Sequence, residues 1–305
     1  MSATSHDVIV IGAGITGLTA AKLAVQRGLK TASIEMMMFG GLVININELE
    51  PAPAGAPASG TEYASNLMME ISDLGVENLS ATVSGLGAGP GGVSVTTDAG
   101  IYQARAVIIA SGAKQKRLGI PGELDFEGRG VSQCADCDGP MYQGQEVVVV
   151  GGGDSALQEA LVLSQFCSQV HLAHRGTQFR AQQHLIDKLA SHKNIQILWQ
   201  TVAEAVLGGD GVSGVRVKDL AQGATREIAC TGFFANVGLT AACEFAPPEI
   251  KRDAGGFLVT DGSMRTPLAG IYAAGAVRAG YGGLLSHAIA EAETAVASAA
   301  AALGK

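Results

Sequence analysis

The stretch Asp7-Val-Ile-Val-Ile-Gly12-Ala-Gly14-Ile-Thr-Gly17, continued by Leu18-Thr-Ala-Ala-Lys-Leu-Ala-Val-Gln-Arg27 and Gly28, decides the fold. An apolar run of strand length enters a glycine turn, a helical pattern follows, and Gly28 closes it. The next strand, Thr31 to Ile34, ends at an acid, Glu35, 18 residues after Gly17. Strand, G-x-G-x-x-G turn, helix, strand and acid together form the dinucleotide-binding fingerprint. Its glycines allow a tight turn and close backbone approach to a pyrophosphate, and the helix N-terminus faces that anion.

The pattern recurs. Glu146-Val-Val-Val-Val150 feeds Gly151-Gly-Gly153-Asp154-Ser155-Ala156, a helix through Ser164, and a strand from Gln169 to His174. Alanine at the third glycine position is a permitted variant. One such motif alone is weak; two, 139 residues apart from Gly12 to Gly151, each with its strand and helix, are strong. Between them, Ala104 to Gly112 reads as a buried strand ending in a small-residue turn, and Ala113–Arg117 with Gly119–Gly122 reads as a linker. Near the end, Gly270-Ile-Tyr-Ala-Ala-Gly275 is another such strand, before a long Ala/Glu helix reaching Leu303. The expected fold is α/β, with two nested Rossmann-like, doubly wound, three-layer dinucleotide-binding domains. Residues 118–243 form the second, inserted into a first domain made of 1–117 and 244–305. The Pro/Ala/Gly stretch 51–60 reads as a surface loop.

Composition agrees. Glycine supplies 42 of 305 residues, about twice the ordinary usage of roughly 7 %. Charged residues are only 16 %, so this is no flexible glycine polymer. The net charge of −8 carries no basic stripe, which argues against a nucleic-acid partner. No apolar run approaches the roughly 18 residues of a membrane span, and the polar start of the chain is unlike a signal peptide. No G-x-S-x-G elbow suggests a hydrolase. Five cysteines, mostly scattered, fit a reducing compartment with one special pair, and the expected location is cytoplasmic.

That pair is Cys134-Ala-Asp-Cys137. A C-x-x-C spacing can close a disulfide within one helical turn and often lowers one thiol pKa. Zinc would need a second ligand pair, and Cys167, Cys230 and Cys243 are isolated, so no metal site is expected. These three read as buried small hydrophobes. Asp138 follows the pair directly. It reads either as a proton donor and acceptor for thiol–disulfide exchange or as a turn residue before Gly139-Pro140. The pair precedes Gly151 by 14 residues, within the second dinucleotide unit.

Cys134-Ala-Asp-Cys137-Asp138-Gly139, Gly151-Gly-Gly153-Asp-Ser-Ala156, His174-Arg175-x4-Arg180 and Tyr272-Ala-Ala-Gly275 stand in an order that resembles the low-molecular-weight thioredoxin reductases. The resemblance covers essentially the whole chain. It implies electron flow from NAD(P)H to FAD, to a Cys134–Cys137 disulfide, and on to thioredoxin or another disulfide substrate. It places FAD on Gly12, Gly14 and Gly17 with Glu35 on the adenosine ribose, and Gly40, Gly41, Gly112, Gly275, Ala276, His287 and Ala288 around it. The nicotinamide dinucleotide falls to Gly151, Gly153, Asp154, Ser155 and Ala156. Cys137 would face the flavin, Cys134 would attack the outside substrate, and Asp138 would serve as acid/base. The resemblance also implies a homodimer, and an inserted domain that rotates about linkers near 113–121 and 244–250.

Cofactor choice turns on the end of the second unit's next strand, where an acid would bind a ribose hydroxyl and arginines a 2′-phosphate. Arg175 and Arg180 stand there without an acid, so NADPH is expected, with NADH as the alternative; Gly176 replaces a further arginine of the family. The flavin side departs more: Ala276 replaces an Asp, Pro51 an Asn, and Ser286-His287-Ala288 an Arg-Gln-Ala segment. His287 reads as a histidine at the start of a helix, or as a proton donor at the flavin or thiol site. Met36 to Phe39 reads as packing around the adenine or the loop before Gly40. Two other functions stay open at this point, a flavin-dependent dithiol oxidase that uses oxygen and a degenerate nucleotide-binding protein with a sensor role.

Overall fold

Alternating apolar residues in β1 (Ser5–Ile11) serve two cores at once: Val8 and Val10 face one side of a sheet, Ile9 and Ile11 the other, all at most 4 % exposed. A strand buried on both faces belongs inside a parallel sheet. The computed structural model describes residues 5–49 and 59–305, in two units, Met1–Lys114 with Thr240–Lys305 and Gln115–Leu239. Among the described residues, no helix is long and apolar enough to cross a membrane.

The first unit runs β1, α1 (Ile15–Gln26), β2 (Thr31–Ile34), α2 (Gly60–Asp73), β3 (Glu77–Leu79), β4 (Val83–Gly89), β5 (Gly92–Thr97) and β6 (Gly100–Ile109). Its sheet order is β3-β2-β1-β6-β5-β4; the first four strands are parallel, and β5 and β4 extend them as antiparallel neighbours. The chain then leaves through β7 (Ala113–Gln115).

The second unit holds β8 (Val131–Ser132), α3 (Ala135–Asp138), β9 (Glu146–Gly151), α4 (Asp154–Leu163), β10 (Gln169–His174), α5 (Gln183–Ala190) and β11 (Ile195–Trp199). A meander, β12 (Thr201–Gly208), β13 (Val212–Asp219) and β14 (Thr225–Ala229), precedes β15 (Gly232–Asn236). The parallel sheet is ordered β11-β10-β9-β15-β8. Leu157, Ala160 and Leu163 of α4 cover one face; Val206 and Val215 of the meander cover the other. Three layers result. Phe233 and Phe234 at the centre are fully buried, each stabilising by roughly 1.5–3 kcal/mol relative to exposure.

The chain returns through β16 (Leu239–Ala241), which pairs with β7, and completes the first sheet with β17 (Ile271–Ala273) parallel to β6. Last comes α6 (Leu285–Ala302). Ala288, Ala292, Ala295 and Ala299 of α6 are buried in one cluster with Ala20, Ala21 and Ala24 of α1, and such small residues let two helix backbones approach closely.

Candidate functional site

In the first unit two glycines of the β1–α1 turn, Gly12 and Gly17, are required by space. Gly12 has φ +102°, and a Cβ there would stand 2.5 Å from Ala110 O. A Cβ on Gly17 would stand 1.9 Å from Gly12 O. Gly14 caps α1 without a side-chain hydrogen bond, and no acid occupies the first turn of the helix itself. Gly40 lies beside it, its N–H donating to Ala13 O at 2.7 Å, and a Cβ on Gly41 would stand 3.4 Å from Gly14 Cα. The Glu35 carboxylate accepts the N–H of Ala13 at 3.0 Å with one oxygen and that of Met37 at 3.0 Å with the other. It therefore ties the acid at the end of β2 to the glycine turn.

Gly275 reaches the same place from β17: its φ is +77°, and a Cβ would meet Thr16 Oγ1 at 2.2 Å. Partly exposed Ala276 follows it. Gly112 has φ +71° in the turn after β6, and its carbonyl accepts the N–H of Ala242. Ala288 is 4 % exposed, within the helical core. Exposed His287 is in the first turn of α6, its ring against Gly282, and lines a cavity of about 310 Å³ with Met264, Ala290 and Glu291. Met36, Met37 and Met38 are 60–83 % exposed rather than packed. Pro51 and most of the 51–60 stretch lie outside the described residues.

The second unit repeats the cradle. A Cβ on Gly151 would strike Asn236 O at 2.4 Å, and one on Gly152 would strike His174 Nδ1 at 2.1 Å. Gly153 caps α4, again without a side-chain hydrogen bond, and exposed Ser155 and buried Ala156 follow. Asp154 is engaged locally, accepting the Gln182 N–H and the Gln182 Nε2–H, each at 2.8 Å. The backbone N–H of Arg180 donates to Gly152 O at 2.8 Å, so the loop bearing exposed Arg175 and Arg180 is folded onto the glycine turn. Asn236, at the end of β15 opposite Gly151, has a buried Nδ2 with no hydrogen-bond partner. Five other buried side-chain polar atoms among the described residues also lack a partner, but this donor is the one beside the second glycine turn, where an acceptor would satisfy it.

These observations test the fit of two dinucleotides. Two turns in which a Cβ would collide with backbone, each leading into a helix with an uncapped N-terminus, suit two pyrophosphates. The unpartnered Asn236 donor at the second strengthens the match.

Cys134 and Cys137 form a disulfide, with Cα atoms 5.3 Å apart. Cys134 is the N-cap of α3 and its Sγ accepts the Cys137 N–H at 3.1 Å; the Cys134 N–H donates to Ser132 Oγ at 3.1 Å. Cys134 is 8 % exposed, whereas Cys137 is exposed. Asp138 closes α3, its N–H donating to Cys134 O, and Gly139 packs on Phe166, where a Cβ would stand 3.0 Å away. Glu159 of α4, a residue that sequence reasoning missed, accepts the Ala135 N–H at 2.6 Å. Burial pushes its carboxyl up to about 7, helped by Asp136 and Asp138 and opposed by the Ala135 N–H. The available signal was an acid flanking the apolar stripe Ala156, Leu157, Ala160 and Leu163. The other thiols are buried, and burial pushes Cys167 up to about 11 and Cys230 to about 12, which leaves them poor nucleophiles.

Residues 6–299 match the family described as pyridine nucleotide-disulphide oxidoreductase. The chain is 42 % identical over 277 residues to the thioredoxin reductase of Treponema pallidum, covering 90 % of each. It is 35 % identical over 275 residues to that of Bacillus subtilis, covering 90 % of this chain and 87 % of the relative. The crystal structure of Lactococcus lactis thioredoxin reductase superposes with a TM-score of 0.92 at 34 % identity, over 96 % of this chain and 97 % of that one. With two dinucleotide cradles and a redox disulfide, the chain belongs to the pyridine nucleotide-disulphide oxidoreductases, within them to the low-molecular-weight thioredoxin reductases, and is a flavin-dependent disulfide reductase that uses FAD and NAD(P)H.

Proposed function

We propose that this enzyme uses NADPH to reduce thioredoxin or a closely similar protein disulfide through Cys134 and Cys137. The observation that carries the reading is the Cys134–Cys137 disulfide in the same unit as the second glycine cradle. Bound FAD would supply two-electron transfer between a dihydronicotinamide and that disulfide. Gly12, Gly14 and Gly17 would hold its pyrophosphate and Glu35 the adenosine ribose, with Gly40, Gly41, Gly112, Gly275, Ala276, His287 and Ala288 as the surrounding set. The first domain, 1–117 and 244–305, would be the flavin domain. The second, 118–243, would hold NADPH on Gly151, Gly153, Asp154, Ser155 and Ala156, with Asn236 donating to the dinucleotide. Arg175 and Arg180, with no acid beside them, favour a 2′-phosphate and hence NADPH over NADH.

In the reduced enzyme, once Cys134, only 8 % exposed as the disulfide, is brought to the surface, its thiolate attacks one sulfur of the substrate disulfide and releases one substrate thiolate, leaving a mixed disulfide. The Cys137 thiolate then attacks Cys134 Sγ, releasing the second substrate thiolate and restoring the Cys134–Cys137 bond. Asp138 gives and takes the protons that balance these steps. A homodimer in a reducing, cytoplasmic setting completes the reading.

Anaerobic titration with NADPH and NADH, followed by a panel of disulfides that includes thioredoxin, tests it. NADPH should reduce the flavin at lower concentration than NADH, thioredoxin should be turned over, and Cys134→Ser should abolish that turnover while the flavin is still reduced. Full thioredoxin reduction by Cys134→Ser, or none by the wild type, would overturn the reading.

A further inference from the structure

Glu291 lies on α6 among alanines, 8 % exposed, and its carboxylate faces the turn after β17. One oxygen accepts the Gly275 N–H at 2.7 Å and the Arg278 Nε–H at 3.0 Å; the other accepts from Arg278 Nη2. Arg278 Nη1 also donates to Ala279 O at 2.8 Å. The pair thus grips both ends of the short turn Gly275–Val277. That turn presses on α1 at Thr16, where a Gly275 Cβ would collide at 2.2 Å, and Thr16 lies between Gly14 and Gly17 of the first cradle. Ala276 offers no polar side-chain atom of its own to hold the turn.

Glue alone does not explain this arrangement. A buried ion pair is often no more stabilising than apolar residues of the same volume, because desolvation offsets the attraction. What the pair adds is direction: a carboxylate fixes the orientation of one N–H and one guanidinium, and so the height of the turn above the helix N-terminus.

We propose that Glu291 and Arg278 are positioning residues for the flavin, setting the 275–278 turn against the first turn of α1 and thereby the affinity for FAD. The proposal rests on the reading that FAD occupies the Gly12–Gly17 cradle. It is tested with the full chain stripped of flavin, by titrating FAD while following flavin fluorescence and the visible spectrum, and by melting the flavin-free protein. The variant is Arg278→Met with Glu291→Leu, which leaves no unpaired charge. The flavin-free variant should melt within a few degrees of the wild type, yet bind FAD at least about tenfold more weakly and with a shifted flavin spectrum. Wild-type affinity and spectrum in the variant would overturn the proposal. So would an affinity loss accompanied by an equal loss of flavin-free stability, which marks a merely structural clamp. If the double variant does not fold, Glu291→Gln, which keeps an acceptor for Gly275, is measured identically, with the same about tenfold weakening expected and wild-type binding overturning it. Failure of the wild type itself to bind FAD would instead count against the cradle assignment.

Discussion

Glu159 holds the backbone N–H of Ala135 at 2.6 Å, tying α4 to the residue that follows the first redox cysteine. Its carboxyl is raised by burial from 4.5 to about 7, and the sign of the pH effect follows. Below about pH 4.5 the folded and unfolded chains both hold the proton; between there and about 7 only the folded chain does. The stabilisation is therefore complete at low pH and is lost as pH rises through about 7, worth up to roughly 3 kcal/mol before discounting for partial exposure. Glu159→Gln, which keeps an acceptor for Ala135, should melt higher than the wild type at pH 8 and level with it at pH 4. Parallel melting curves across that range would remove Glu159 as a titrating group.

Gly17→Ala should cost the protein its flavin. The new Cβ would sit 1.9 Å from Gly12 O, a backbone atom with no room to move, so the cradle must deform. A destabilisation of about 3 kcal/mol or more is expected, with loss of bound flavin in the visible spectrum. Gly28→Ala is the control: φ is +73° but nothing lies within 4 Å, so only about 1 kcal/mol is lost and the flavin stays. Equal flavin content in the two variants would contradict the cradle.

Arg175→Ala and Arg180→Ala should each raise KM for NADPH about tenfold, the loss of one charge-assisted contact, and leave KM for NADH nearly unchanged. Steady-state kinetics with both nucleotides decides it, and equal effects on the two would exclude a 2′-phosphate role. Gly176→Arg is not a simple gain, because a Cβ there meets His174 Nε2 at 2.8 Å, and that ring sits 2.9 Å from Gly151 O and 3.0 Å from Gln178 O.

Asn236→Ala should separate stability from binding. Removing a buried, unpaired donor should leave the melting temperature unchanged or higher, while KM for NADPH rises several-fold with the loss of about 1 kcal/mol. An unchanged KM would show that the carboxamide does not meet the dinucleotide.

Both glycine turns were legible because their requirements are local. A backbone that must bend tightly before a helix leaves its record in neighbouring residues, as at Gly12, Gly14 and Gly17 and again at Gly151 and Gly153. The pair Cys134–Cys137 is legible for the same reason, since a separation of three residues brings the two sulfurs together within one turn. The meander β12–β14 is not legible in this way, because which face of the second sheet it covers depends on β15 returning between β9 and β8.

The chain's own order of residues thus determined two dinucleotide units, one inserted in the other, and a redox pair carried by the second. Only the tertiary structure decided which polar groups come to lie against them. Glu159 reaches Ala135 across 24 residues, and Asn236 comes to lie opposite Gly151 through strand register. Glu291 grips Gly275 from the far side of a turn, 16 residues along the chain. The physical reason is the same in each case. A turn writes its steric needs into adjacent residues, whereas a buried carboxylate or amide takes its meaning from whichever N–H or charge packing brings to it.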